Sequence, residues 1–127
     1  MRLEFPGIND EWEAYSLAYA VLLGAAQALD VPDTDLNVTI SGGTNNQFAI
    51  VLYDNVPGGA GLVANLGKEN VFREILATAK QRVGGECGCG RTESCYGCLR
   101  NYRNQFAHPY LQREYALKFL SDPVTST

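Results

Sequence analysis

Cys87, Cys89, Cys95 and Cys98 are the four cysteines of the chain, gathered in C-G-C-G-R-T-E-S-C-Y-G-C at the spacing C-x-C-x5-C-x2-C. Four soft thiolates so close together suit a tetrahedral all-cysteine metal site, zinc above all, and the intervening glycines let the backbone fold round an ion. Two disulfides are the alternative. Cys87 and Cys89 are too close to pair without strain, but crossed pairings stay open, as do four free thiols. Four cysteine ligands would leave a zinc ion no open position for substrate, which is the pattern of a structural site rather than of a hydrolase. His108, the single histidine, is redundant as a fifth ligand and suits a capping or surface role.

A second candidate is the glycine-rich stretch Asp54-Asn55-Val56-Pro57-Gly58-Gly59-Ala60-Gly61. Exposed N–H groups at such a strand-to-helix turn attract anions. A P-loop, however, needs lysine directly after its last glycine, and here Leu62 and Val63 follow Gly61. Gly59-Ala60-Gly61-Leu62-Val63-Ala64 supplies only the alanine-ended variant of the dinucleotide fingerprint, with no acidic residue at the distance a ribose needs. Two roles remain for Asp54, Pro57, Gly58, Gly59 and Gly61: a tight structural turn capped by Asp54, or a ligand contact. The sequence offers no Ser–His–Asp grouping, so catalysis by this chain alone is not expected.

These residues need elements to position them. Asp10, with Glu13 three residues on, opens a helix expected over residues 10–30. Trp12, Tyr15, Tyr19, Leu22, Leu23, Ala26 and Leu29 recur along it at helical spacing as core, and Pro32 ends it. Leu36–Ile40 alternates like a half-buried strand, Ser41–Asn46 is turn chemistry, and Gln47–Tyr53 is as continuously apolar as a central strand. A helical segment begins around Leu62. Lys68–Val83 carries Val71, Phe72, Ile75, Leu76, Ala79 and Val83 on one face and closes at Gly84-Gly85. After the cysteines, Leu99–Phe106 reads as a short polar helix. Pro109 starts a last helix with Leu111, Tyr115, Phe119 and Leu120, and Pro123 begins a frayed tail. The expectation is α+β: several helices packed on a small antiparallel hairpin or sheet, with a four-cysteine zinc knuckle. At 127 residues it forms one domain, 1–127, with its core over about 10–121 and the tail at 122–127.

The charge is uneven. Up to residue 66, Arg2 stands against eight acidic residues, whereas residues 73–118 hold eight basic residues against Glu74, Glu86, Glu93 and Glu114. The basic half is the cysteine half, and it could face phosphate. Ala14–Leu29 contains Ser16, Gly24 and Gln27 and follows Glu11 and Glu13, so it is an amphipathic or buried helix rather than a membrane span. Met1–Pro6 lacks the basic-then-apolar order of a signal peptide, and with reduced thiols this points to the cytoplasm.

Leu52-Tyr53-Asp54-x-x-Pro57-Gly58-Gly59-Ala60-Gly61, then Cys87-x-Cys89 and Ser94-Cys95-Tyr96-Gly97-Cys98-Leu99-Arg100-Asn101-Tyr102-x-Asn104-Gln105, then Leu111-x-Arg113, together resemble the MrfA-type zinc-binding domain. That domain ends a family of superfamily-2 DNA helicases and occurs in anti-phage proteins such as the DISARM subunit DrmB. The resemblance covers about residues 12–120. It implies Zn2+ held by Cys87, Cys89, Cys95 and Cys98, and work in DNA repair or phage defence with helicase motors in cis or in trans, since no motor is present in this sequence. The cysteine site would lock the third helix to the Arg100–Gln105 segment. Arg100, Arg103, Asn104 and Arg113 could then meet DNA phosphates or a motor domain. A pure assembly module that never touches DNA is the alternative, and a small enzyme built on Asp54 and the glycine turn is the third reading.

Overall fold

The computed structural model describes residues 2–4, 8, 10–32, 35–42, 48–54, 69–84, 87–90, 92–100 and 102–120. Three strands, β1 (Arg2–Glu4), β2 (Leu36–Gly42) and β3 (Phe48–Asp54), form an antiparallel sheet in the order β1-β3-β2. Among the described residues there are also three α-helices, α1 (Glu11–Leu29), α2 (Glu69–Arg82) and α3 (Arg113–Leu120), and a 3-10 segment, Tyr102–Tyr110. The expected α+β architecture is what the chain forms.

α1 is the centre of the molecule. Every residue from Glu13 to Ala26 is buried except Tyr15, which is half-buried. A helix enclosed on nearly all sides needs small residues where neighbours approach, and Ala14, Ser16, Ala18, Ala20, Gly24, Ala25 and Ala26 supply them. It packs against the sheet on one side and against α2 and α3 on others. Asp10 starts it by accepting the Trp12 N–H at 2.9 Å, as expected of an N-cap. Glu13 is buried and its carboxylate meets Lys118 Nζ on α3 at 3.5 Å. At the other end Asp30 takes the left-handed conformation (φ 56°, ψ 48°). Val31 N–H reaches Ala26 O and Asp30 N–H reaches Gln27 O, a Schellman close two residues before Pro32. Asp10→Ala should lower stability by about 1 kcal/mol, seen as a lower urea midpoint at unchanged slope; an unmoved midpoint would show that the cap carries no weight.

β3 is central, as its composition suggests. Ile50 and Leu52 turn inward, while Tyr53 is exposed on the other face. Val38 opposite Leu52 and Ile40 opposite Ile50 set the register that puts the apolar side on α1. β1 was not anticipated. Three residues pairing Arg2 with Val51 and Glu4 with Ala49 carry no alternation to read, and only the open edge of β3 makes them a strand.

The C-terminal part differs from expectation in its boundaries. The helix expected over 99–106 is a 3-10 segment over 102–110 with a kink at Asn104 (φ −104°, ψ 27°), and Pro109 lies inside it rather than opening the last helix. α3 begins only at Arg113, after Leu111 N–H has bonded Ala107 O and Gln112 N–H has bonded Ser16 Oγ on α1. The helix expected from Leu62 and the closing Gly85 lie outside the described residues.

Candidate metal centre

The cysteine loop leaves α2 through Val83 and Gly84, where Val83 N–H still bonds Ala79 O. Gly88 sits at φ 85°, a backbone state that side chains resist, and it separates Cys87 from Cys89. Gly90 and Glu93 then close a turn, with Glu93 N–H on Gly90 O and Gly90 N–H on the Glu93 carboxylate, both at 3.1 Å. In the second half, Cys95 O accepts three backbone N–H groups, from Cys98, Leu99 and Arg100, which coils Cys95–Cys98 into a tight knuckle.

These turns bring all four Sγ atoms within 4.8 Å of one another. Cys87 and Cys89 lie 3.4 Å apart, Cys89 and Cys98 3.7 Å, Cys95 and Cys98 3.8 Å. All four thiols are free, with no disulfide among them. A tetrahedral zinc–thiolate centre with bonds of about 2.3 Å has sulfur–sulfur edges of about 3.8 Å, and the spacing fits. The donor set also fits the metal: four thiolates favour Zn2+ over hard cations and complete its coordination without water.

The thiols differ in how readily they ionise. Burial pushes Cys98 up strongly, and the bonds from Cys89 and Cys95 add to that rise. Burial also raises Cys89, with the bond to Cys87 adding to it. At Cys87 burial works against the thiolate. The Cys89 backbone N–H and the Cys89, Cys95 and Cys98 thiols outweigh it and bring the pKa down to about 7. The protein alone thus readies the Cys87 thiolate, and a divalent ion must displace the protons that burial holds on Cys89 and Cys98. Cys95 N–H points at Cys98 Sγ at 3.2 Å, ready to stabilise charge there.

The loop is braced from three directions. Arg113 Nη1 donates to Val83 O at 3.0 Å and Nη2 to Cys89 O at 3.1 Å, while its own N–H bonds Glu93 O. Arg82 Nε donates to Cys98 O at 3.3 Å. Arg100 is half-buried, its Nε donating to Ser94 Oγ at 2.9 Å and its Nη2 to His108 O at 3.3 Å. Asn104 is fully buried, donates to Leu99 O at 2.8 Å and accepts from His108 Nε2 at 2.7 Å.

Two of the expected contact residues, Asn104 and Arg113, are enclosed: Asn104 is held between Leu99 O and the His108 ring, and Arg113 between Val83 O and Cys89 O. The side chain of Arg103 lies outside the described residues. Asp54 ends β3 with its side chain likewise outside them, and Pro57, Gly58, Gly59 and Gly61 lie outside altogether. His108, expected at a cap or surface, is half-buried and packs edge-on to Tyr96 at 5.4 Å. A group of exposed aromatic rings went unread. Trp12 stacks on Tyr110 at 4.4 Å and Tyr15 meets Phe106 edge-on at 5.6 Å, leaving Phe106 58% and Tyr110 51% exposed. Trp12 and Tyr15 were expected as core; the i, i+4 pair Phe106 and Tyr110 was the available signal for a wet face.

A small α+β core that gathers four free thiols round one point is a structural zinc-binding domain. The chain belongs to the family of MrfA Zn-binding domains, whose model matches residues 17–99, a span holding all four cysteines. No curated protein matches the sequence. The crystal structure of the DUF1998 helicase MrfA bound to DNA shares the fold, with a TM-score of 0.61 over 91% of this chain at 22% identity. The match occupies 15% of that helicase chain, so this chain spans about a seventh of its length. No helix among the described residues is long and apolar enough to cross a membrane.

Proposed function

We propose that the chain is the zinc-binding accessory module of a DNA helicase, serving DNA repair or anti-phage defence, with Cys87, Cys89, Cys95 and Cys98 as its zinc ligands. What carries the reading is the four-cysteine centre inside a fold shared with a DNA-bound helicase. ATP hydrolysis belongs to the motor. The module's part is mechanical: the metal ties the end of α2 to the 102–110 segment and so fixes a rigid surface against its partner. Four free thiols would suit a reducing compartment such as the cytoplasm.

For that surface, the exposed rings favour docking on a motor domain over direct DNA contact. Phe106 and Tyr110, each packed on one side against an aromatic ring of α1, still leave more than half of their surface in water. The exposed Asp10 and Glu11, next to Trp12 at the start of α1, repel phosphate there. Phe106→Ser combined with Tyr110→Ser should abolish co-purification with the helicase motor while zinc content and melting stay at wild-type values. Undiminished co-purification would remove the rings from the interface. DNA contact has its own test in Arg103→Ala, which should weaken DNA binding and flatten its salt dependence by about one unit of slope if Arg103 meets a phosphate. Binding that is unchanged in strength and slope leaves the module a protein-docking one.

A further inference from the structure

A guanidinium does not lose its proton inside a protein, so a buried arginine needs negative charge near it. Arg113 is 6% exposed, and its Nε has no hydrogen-bond partner. Its remaining side-chain bonds go to two neutral carbonyls, Val83 O and Cys89 O. Arg82 is half-buried and bonds Cys98 O and Gln27 Oε1, also neutral. Among the described residues neither forms an ion pair with a carboxylate. Glu93, the acidic residue among the described residues of the loop, is exposed and turns its carboxylate to Gly90 N–H. Among the described residues, Arg82 and Arg113 therefore bring positive charge to the backbone of one small loop without a carboxylate partner.

A divalent ion on four thiolates would leave two units of negative charge in this loop. Arg113 grips Cys89 in the C-x-C half and Arg82 grips Cys98 in the C-x2-C half. Each holds the backbone of a ligand residue. The two come from different elements, Arg82 from the end of α2 and Arg113 from the start of α3.

We propose that Arg82 and Arg113 are the counter-charges of the zinc–tetrathiolate centre, one for each cysteine pair. They are positioning residues that offset the negative charge four thiolates would carry around a divalent ion. The proposal rests on the zinc site alone and not on the helicase reading. It also explains why Arg113 is enclosed where a phosphate contact was expected.

The test is zinc affinity by competition with a chromophoric chelator, in the whole chain, for Arg82→Met, Arg82→Lys, Arg113→Met and Arg113→Lys. Residues that support metal ligands cost about 10- to 100-fold in affinity when replaced. That loss is expected for the methionine variants, and the lysine variants, which keep the charge, should lose distinctly less. The cobalt(II) form of each variant is read alongside. Tetrahedral d–d absorption should persist in Arg82→Met, showing that four thiolates still hold the ion and that the loss is one of charge. Equal losses for methionine and lysine, or wild-type affinity in the methionine variants, would overturn the proposal, as would collapse of the cobalt spectrum in Arg82→Met. If the Arg113 variants do not fold, the half-buried Arg82 pair decides the matter by the same comparison.

Discussion

Removing zinc with a chelator, or replacing Cys98 with serine, should unfold the domain at temperatures where the loaded protein is native. Cys98 and Leu99 are fully buried within the main core, so the metal loop is part of that core rather than an appendage. The loop is also the meeting point of α2, the 3-10 segment and α3, through Val83 O, Leu99 O and the Arg113 fork. Structural zinc contributes about 10–16 kcal/mol of apparent binding energy in small zinc peptides, against a total stability of about 5–15 kcal/mol for an ordinary domain. Even a part of that term, about 5 kcal/mol, removes most of the native state. Far-UV circular dichroism during heating, with and without chelator, reads the effect; coincident melting curves would show that the fold does not depend on metal. Acid should act in the same direction. Cys89 and Cys98 hold their protons firmly without metal, so zinc affinity falls with falling pH by about tenfold per unit for each proton displaced.

Gly24→Ala should destabilise by about 3 kcal/mol, at the upper end of what overpacking costs. On an exposed helix the same change would stabilise by about 1 kcal/mol. Here a Cβ at Gly24 would lie 2.8 Å from the Cβ and backbone N of Ala79, and 2.9 Å from its Cα. Those atoms belong to α2, so α1 and α2 must separate. Because α2 leads into the cysteine loop, zinc affinity should fall along with the urea midpoint. Ala79→Gly should not restore the double variant fully, since two of the three close atoms are backbone. A Gly24→Ala protein at least as stable as the wild type would mean that the helices are not in such close contact.

The parts legible in the sequence were those encoded locally. Asp10 announces its helix, Pro32 follows its end, alternation reveals β2, and the continuous apolar run marks β3 as central. The metal centre was legible because all four donors fall within one short segment. What was hidden depends on residues far apart in the chain. Arg113 looks like surface charge, yet its acceptors Cys89 and Val83 lie 24 and 30 positions away. β1 becomes a strand only through β3. Gly24 resembles a weak point in a helix until Ala79 is seen against it. The aromatic residues of α1 were rightly apolar, but periodicity does not say which end of a stripe stays wet. Trp12 and Tyr15, at the first turns, reach the surface rings Tyr110 and Phe106.

Whether the four cysteines hold one zinc ion is read by elemental analysis of protein purified without added metal, with a thiol count under denaturing conditions in chelator. One zinc per chain and four reactive thiols is the predicted result. Protein without metal, or with fewer than four thiols, would contradict the account and return the cysteines to disulfide chemistry.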